Sequence, residues 1–279
     1  MTGVRTATEV TRLGVLGWPV AHSRSPAMQN AALAAAGLTR WRYQLLPAAP
    51  ELFAELVRAL RGARFRGANV TIPHKGAALA LATAPTERAR AIGAANTLTF
   101  EPGEEVVADN TDAPAILAAL PTAIAGRSAL VLGAGGSARA AVWALLDAGA
   151  REVRVWNRSA DRARELGHAL GAIPLPAAPA ARVLPADVLV NCTSVGLDGS
   201  DPFDRLPIGA DDLGEYGCVV DLVYTAAGTA LIAAAQERGV PVVDGLELLV
   251  RQGALSFERF TGRPAPVEAM RAALRFRGR

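Results

Sequence analysis

Lysine is all but missing from this sequence: Lys75 stands alone beside 28 arginines among the 29 basic residues. Cysteine is nearly as scarce. Cys192 and Cys218 are too few and too far apart for a disulfide framework or a metal knuckle, and His22, His74 and His168 do not sit at ligand spacing with them, so no metal is expected. No apolar run reaches the roughly 18 residues of a membrane span, and the opening "MTGVRTATEVTR" has no hydrophobic leader segment, which points to a cytoplasmic protein. A formal net charge of +3 could suggest nucleic acid, but the arginines are scattered singly, with no basic block or aromatic-interleaved patch, so neither nucleic acid nor membrane is an expected partner.

The scarcity of lysine gives Lys75 its interest. A guanidinium is always protonated, whereas an ammonium on a flexible stem can give up its proton when burial or neighbours shift its pKa. A lysine that survives where every other cation is arginine is therefore a candidate for proton chemistry. The plainer alternative is a solvated surface residue.

The 279 residues, 51% of them hydrophobic, suffice for one large domain or two smaller ones. Short β-branched runs alternate with alanine-rich stretches: "RLGVLG", "SPAMQNAALAAAG", "WRYQLL", "PELFAELVRALRG" and "FRGANVT". This alternation predicts α/β architecture with mainly parallel sheets. The first helix is marked by Ser25 as cap, Pro26 at its first position and Gly37 as its stop. After "PTAIAGR", the stretch "SALVLGAGGSARAAVWALLDAGA" reads as strand, glycine turn and helix, and "EVRVWN", "ADVLVNCT", "GCVVDLVY" and "VPVVD" read as further strands of a Rossmann-like unit. "GAIPLPAAPAARVLPAD" has linker-like composition. Beyond Gly245 two amphipathic helices have no strand to accompany them and suit a return to the first domain. The expected division is therefore residues 1–112 plus 246–279, and 113–245.

"GAGGSARA" follows a predicted strand and opens a predicted helix. Gly133 permits the tight turn and Gly135 lets the backbone approach a pyrophosphate at the positive helix N-terminus, while Ala138 replaces the third glycine of the pattern, which governs only packing. The next strand ends in "WNRS". An acidic residue there would bind both ribose hydroxyls of NAD; Asn157 and Arg158 instead favour the 2′-phosphate of NADP. "HSRSP" sets Ser23 and Ser25 around a helix start suited to a carboxylate, with simple capping as the plainer role of Ser25. All six asparagines, Asn30, Asn69, Asn96, Asn110, Asn157 and Asn191, are expected in glycine turns or at strand ends, where their amides suit either turn formation or a polyhydroxylated ligand.

Taken together, "GWPVAHSRSPAMQN", "NVTIPHK", "GAANT", "DNTD", "GAGGSARA", "NRS", "NCTSVG" and "RQGALSFERFTG" make the chain resemble the shikimate dehydrogenase family from end to end. The resemblance implies NADP-linked interconversion of 3-dehydroshikimate and shikimate, in the pathway to chorismate and the aromatic amino acids. It implies a substrate-binding catalytic domain, a Rossmann-like NADP-binding domain, an active site in the cleft between them, and a monomer or homodimer. It makes Lys75 and Asp112 the catalytic pair and gives the substrate carboxylate to Ser23 and Ser25. Asn69, Thr71, Asn96, Asp112, Tyr224 and Gln252 would serve the rest of the substrate. Gly133, Ala134, Gly135, Gly136, Ser137, Ala138, Asn157, Arg158, Ser159, Thr193, Val223 and Gly245 would bind the cofactor. The family usually has His at Gln29, Gly at Ala108 and Ala115, Met at Leu197 and Leu248, and Pro within "VYTAAGTA". Quinate or aminoshikimate dehydrogenase is the alternative enzyme, and a non-catalytic NADP-binding sensor the alternative of another class.

Overall fold

The computed structural model describes residues 10–177 and 185–275. They form two compact units: residues up to Thr111 together with those from Gly253 onwards, and Asp112–Gln252. Among the described residues no helix is long and apolar enough to cross a membrane.

In the first unit the chain runs β1 (Thr11–Gly17), α1 (Ser25–Ala35), β2 (Trp41–Pro47), α2 (Phe53–Gly62), β3 (Phe65–Val70), α3 (Lys75–Ala80), β4 (Ala84–Pro85), α4 (Glu87–Ile92), β5 (Thr97–Phe100) and β6 (Val106–Asp109). The strands form one sheet in the order β2-β1-β3-β5-β6-β4. β1 is parallel to β2 and β3, and β4 to β6, but β5 runs against both β3 and β6. This reversal pairs Asn69 with Thr97 and Thr97 with Asp109, so β5 starts at the edge where β1, β3 and β6 end. Phe53, Val57 and Leu60 of α2 bury one face against Leu16, Ala68, Val70 and Leu98 of the sheet.

The structure departs from the sequence reading at the cap of α1 and at Asn30. Arg24, in helical conformation, occupies the N-cap of α1 and no side chain caps it; Ser25 is the first helical residue, and its N–H donates to Ser23 Oγ at 3.3 Å. Gly37 does end the helix, with φ of +69° and with Gly37 N and Leu38 N donating to Ala34 O and Leu33 O. Asn30 lies inside α1 and not in a turn. Its Nδ2 donates to Tyr43 O at 2.8 Å and its Oδ1 accepts from Tyr43 N at 2.9 Å, so the amide replaces a backbone neighbour for the exposed side of β2.

The second unit runs α5 (Asp112–Ala119), β7 (Ser128–Leu132), α6 (Gly136–Asp147), β8 (Glu152–Trp156), α7 (Ala160–Leu170), β9 (Ile173–Pro174), β10 (Val188–Asn191), β11 (Cys218–Asp221), α8 (Ala230–Glu237) and β12 (Val242–Val243). Its sheet is parallel throughout, in the order β12-β11-β10-β7-β8-β9. β7, β10 and β11 are covered on both faces, which is why they read as unbroken apolar runs. The linker-like stretch contributes β9 at the sheet edge; its residues 178–184 lie outside the described residues. From this unit α9 (Gly245–Thr261) carries the chain into the first, where α10 (Val267–Arg275) packs on α1.

Asp109 anchors α9 within the first unit. Its carboxylate, 2% exposed, accepts from Thr86 Oγ1 at 2.8 Å, from Arg88 at 2.7 Å and from Arg259 Nε at 2.6 Å. Burial opposes its ionisation, but the hydrogen bonds from Arg259 and Thr86 and the charges of Arg259 and Arg88 outweigh it and hold the carboxyl below its ordinary 3.8. A depressed folded pKa gives stability that is present above the ordinary value and lost as pH falls through the folded one. Asp109→Asn is expected to cost about 2 kcal/mol at pH 7, with the deficit shrinking well below pH ~4. Urea unfolding of both proteins at the two pH values checks this; an unchanged midpoint at pH 7 would contradict it.

Candidate functional site

At the strand-end edge of the first unit the backbone ties three segments together. Thr71 N donates to Leu16 O at 2.8 Å and Trp18 N to Ile72 O at 2.9 Å, joining the ends of β1 and β3; both following X-Pro bonds, Trp18-Pro19 and Ile72-Pro73, are cis. Gly17 has no side chain because a Cβ there would collide with the Thr71 methyl group. Val70 N donates to Asn96 O at 2.8 Å and Ala95 N to Lys75 O at 2.9 Å, which binds the start of β5 to the start of α3. Lys75, half-buried, is thus fixed at its own carbonyl.

The residue before it, His74, was not singled out from the sequence, where nothing distinguishes it. It is buried, stacks on Phe53 with ring centroids 4.3 Å apart, and has Nε2 2.7 Å from Ala48 O. These contacts hold the residue that precedes α3.

The asparagine amides of this edge are held in place by hydrogen bonds to neighbouring segments. Asn69 Oδ1 accepts from Tyr43 Oη at 2.7 Å, and its Nδ2 donates to Asn96 O and to Thr97 Oγ1. Asn96 Nδ2 donates to Thr111 Oγ1 at 2.9 Å and its Oδ1 accepts from Thr111 N at 2.8 Å. Ser256 of α9 donates to Asn69 Oδ1 at 3.4 Å. The first unit therefore gathers Ser23, Ser25, Asn69, Thr71, Lys75 and Asn96 on one braced edge. Asp112 follows Thr111 directly and starts α5 of the second unit; Tyr224 and Gln252 also belong to that unit, with Gln252 Nε2 donating to Leu249 O at 2.8 Å.

In the second unit the chain leaves β7 first to one side and then to the other, so the strand order reverses between β7 and β10. Ligands of such sheets bind at the carboxyl ends of the strands at that reversal. Gly133, with φ of +112°, makes the turn there, and its N–H donates to Trp156 O at 2.7 Å. A Cβ on it would lie 3.1 Å from the Cys192 carbonyl, whereas a Cβ on Gly135 would meet nothing within 4 Å. The first glycine is thus required by the protein and the second faces open space. Gly135 caps α6 without a side-chain hydrogen bond, and Ala138 is fully buried in the packing between α6 and the sheet. Asn157 Nδ2 closes the turn after β8 onto Ser159 O at 3.0 Å, leaving Arg158 and Ser159 exposed.

The other proposed cofactor residues are organised around a carboxyl group that sequence reading passed over. Asp221 ends β11 and is 1% exposed. Asn191 Nδ2 and Val223 N donate to its Oδ1 at 2.9 and 3.0 Å, and Thr229 donates to its Oδ2 at 2.7 Å. Burial nevertheless pushes its pKa up to about 6, with the charge of Asp244 adding to the shift. The only signal in the sequence is an acid closing an apolar run, in "CVVD". Burial alone pushes the thiol of Cys218, at the other end of that strand, up to about 11.

A parallel sheet with this strand order, a glycine turn at its reversal and a basic residue closing the neighbouring strand define a dinucleotide-binding α/β protein. The family comparisons narrow the class. Residues 15–98 match the shikimate dehydrogenase substrate binding domain, residues 117–196 the shikimate/quinate 5-dehydrogenase model, and residues 245–275 the shikimate 5'-dehydrogenase C-terminal domain. The shikimate dehydrogenase (NADP(+)) of Paracoccus denitrificans is 44% identical over 94% of each chain. The crystal structure of Thermus thermophilus shikimate 5-dehydrogenase in complex with NADP(H) and shikimate matches with a TM-score of 0.81 at 39% identity, covering 95% of this chain and 99% of that one. A 5-ketofructose reductase of Gluconobacter matches with a TM-score of 0.83 at 30% identity, covering 96% and 98%. The chain belongs to the shikimate dehydrogenase family.

Proposed function

We propose that this protein is an NADP-dependent shikimate dehydrogenase that reduces 3-dehydroshikimate reversibly to shikimate. The observation that carries the reading is the match to NADP-dependent shikimate dehydrogenases over nearly the whole chain, on a first unit whose braced edge holds the single lysine. The first unit carries most of the substrate residues and the second the dinucleotide, with Asp112, Tyr224 and Gln252 of the second unit also serving the substrate. The same reading makes it a cytoplasmic monomer or homodimer whose partners are small molecules.

Bound NADP(H) would supply the hydride chemistry at the ring carbon. The chain supplies the rest. Gly133 to Ala138 receive the pyrophosphate at the start of α6, and Arg158 with Asn157 and Ser159 takes the 2′-phosphate. Thr193, Val223 and Gly245 border the remainder. Ser23 and Ser25 hold the substrate carboxylate, and Asn69, Thr71, Asn96, Tyr224 and Gln252 its ring and hydroxyls. Lys75 gives a proton to the ketone oxygen as it becomes an alkoxide, and Asp112 completes the catalytic pair. Oxidation of the alcohol runs the same steps backwards.

Turnover of the purified protein with shikimate, quinate, aminoshikimate and 5-ketofructose, each with NADP(H) and NAD(H), tests the reading. Shikimate with NADP is expected to give the highest kcat/KM. Faster turnover of quinate or aminoshikimate would move the assignment to those enzymes, and dinucleotide binding without any turnover would favour a sensor. Replacing Ser23 and Ser25 together by alanine is expected to raise the KM for shikimate about tenfold or more, the loss of one or two charge-assisted hydrogen bonds, with NADP affinity unchanged. Normal shikimate binding by the double variant in calorimetry would put the carboxylate elsewhere.

A further inference from the structure

Asp221 is where three strand-end segments of the second unit meet. Through Asn191, whose Oδ1 accepts from Thr193 N at 3.1 Å and Thr193 Oγ1 at 2.7 Å, it reaches the loop after β10. Thr193 Oγ1 in turn accepts from Val195 N at 3.1 Å, and the Cys192 carbonyl of the same loop lies against the Gly133 turn. Through Val223 N it fixes the segment after β11, whose Leu222 and Val223 carbonyls abut Gly245 so closely that a Cβ there would sit 2.5 Å from Val223 O. Through Thr229, whose hydroxyl also caps α8, it closes the same loop from the far side. Asn191 and Thr229 are themselves buried.

We infer that Asp221 is a positioning residue for the dinucleotide site, setting the Thr193, Val223 and Gly245 segments around the Gly133 turn without touching the cofactor itself. The inference rests on the reading that this unit binds NADP. What the three segments need at this point is an acceptor, not a charge. The raised folded pKa of Asp221 means that folding favours the protonated form, so its ionisation costs stability as pH rises from about 4 to 6 and above. An uncharged amide of the same shape would avoid that cost.

The test compares Asp221→Ala, Asp221→Asn and Asn191→Ala in the full-length protein, with NADP+ binding measured by calorimetry alongside kcat and both KM values. Asp221→Ala leaves three donors without an acceptor and is expected to weaken NADP+ binding about tenfold or more, while the KM for shikimate, which Tyr224 next to Val223 can touch, rises no more than about threefold. Asp221→Asn is expected to restore binding to within about threefold of the unmodified protein. Its oxygen still accepts from Asn191 and Val223, and the Thr229 hydroxyl can turn to accept from the new amide. At pH 8 its Tm should equal or exceed that of the unmodified protein. If Asp221→Ala does not fold, Asn191→Ala carries the test, since it cuts the link to Thr193 while leaving Asp221 two donors. Unchanged NADP+ affinity in a folded alanine variant, or a parallel loss of NADP+ and shikimate, would overturn the inference. Absence of NADP+ binding by the unmodified protein would instead sink the dinucleotide reading on which it rests.

Discussion

Lys75→Arg is expected to lower kcat by about 10²-fold or more while shikimate and NADPH still bind, because a positioned proton donor contributes about 10²- to 10⁴-fold. Arginine keeps the charge and much of the reach but cannot give up its proton near neutral pH. The site is also one that should absorb the change without unfolding. The backbone of residue 75 is held by Ala95 N, and the turn before it by the His74 ring between Phe53 and the Ala48 carbonyl, none of which involves the lysine ammonium. A fall in kcat with an unchanged denaturation midpoint would therefore report chemistry, not folding. The sequence offers a second route to the same question. As Lys75 is the only lysine, an amine-reactive reagent labels just this side chain and the N-terminal amine. Peptide mapping of the inactivated protein should find the label at Lys75, and shikimate with NADP should slow its attachment. Full activity in either the arginine variant or the protein labelled at Lys75 would falsify the catalytic role.

The second unit was legible in the sequence because its physics is local. Strands buried on both faces read as apolar runs, and the Gly133 turn needs its glycine for a positive φ and a close carbonyl, so "GAGGSARA" carries its own geometry. The first unit was legible only as alternation. Nothing in "NTLTF" tells that β5 runs backwards, since that follows from a short turn to β6 and from pairing across the sheet. Side-chain roles fared according to distance along the chain. Gly37 ended α1 as its sequence suggested, whereas the expected Ser25 cap gave way to Arg24, a matter of one residue in where the backbone turns helical. Asn30 lies within the run that already reads as the first helix, so a turn does not suit it, and its partner Tyr43 lies on another element. Asp109 with Arg259 and Asp221 with Asn191 bridge 150 and 30 residues of chain. No local pattern announces such pairs, although an acid at the end of an apolar strand raises the question of what satisfies it.

On the proposed reading, the preference between cofactors turns on a residue with the opposite character, exposed Arg158. Arg158 is the second residue after β8, in a turn that Asn157 closes onto Ser159 O at 3.0 Å, and the strand is followed by Asn157 and not by the acidic residue that would bind the ribose hydroxyls of NAD. A charge-assisted hydrogen bond to the 2′-phosphate contributes about 1.5 to 3 kcal/mol, so Arg158→Ala is expected to lower kcat/KM for NADP about tenfold or more. The value for NAD should barely move, because NAD has only a neutral hydroxyl at that position and no phosphate for the arginine to pair with. The expected signature is therefore a collapsed ratio and not a general loss. An exposed pair is screened by salt, so the preference of the unmodified protein for NADP should also narrow as ionic strength rises, and that of the alanine variant should not. Equal kcat/KM for NADP and NAD in the unmodified protein, or an Arg158→Ala variant that keeps the full preference, would show that the 2′-phosphate is recognised by other groups than this arginine.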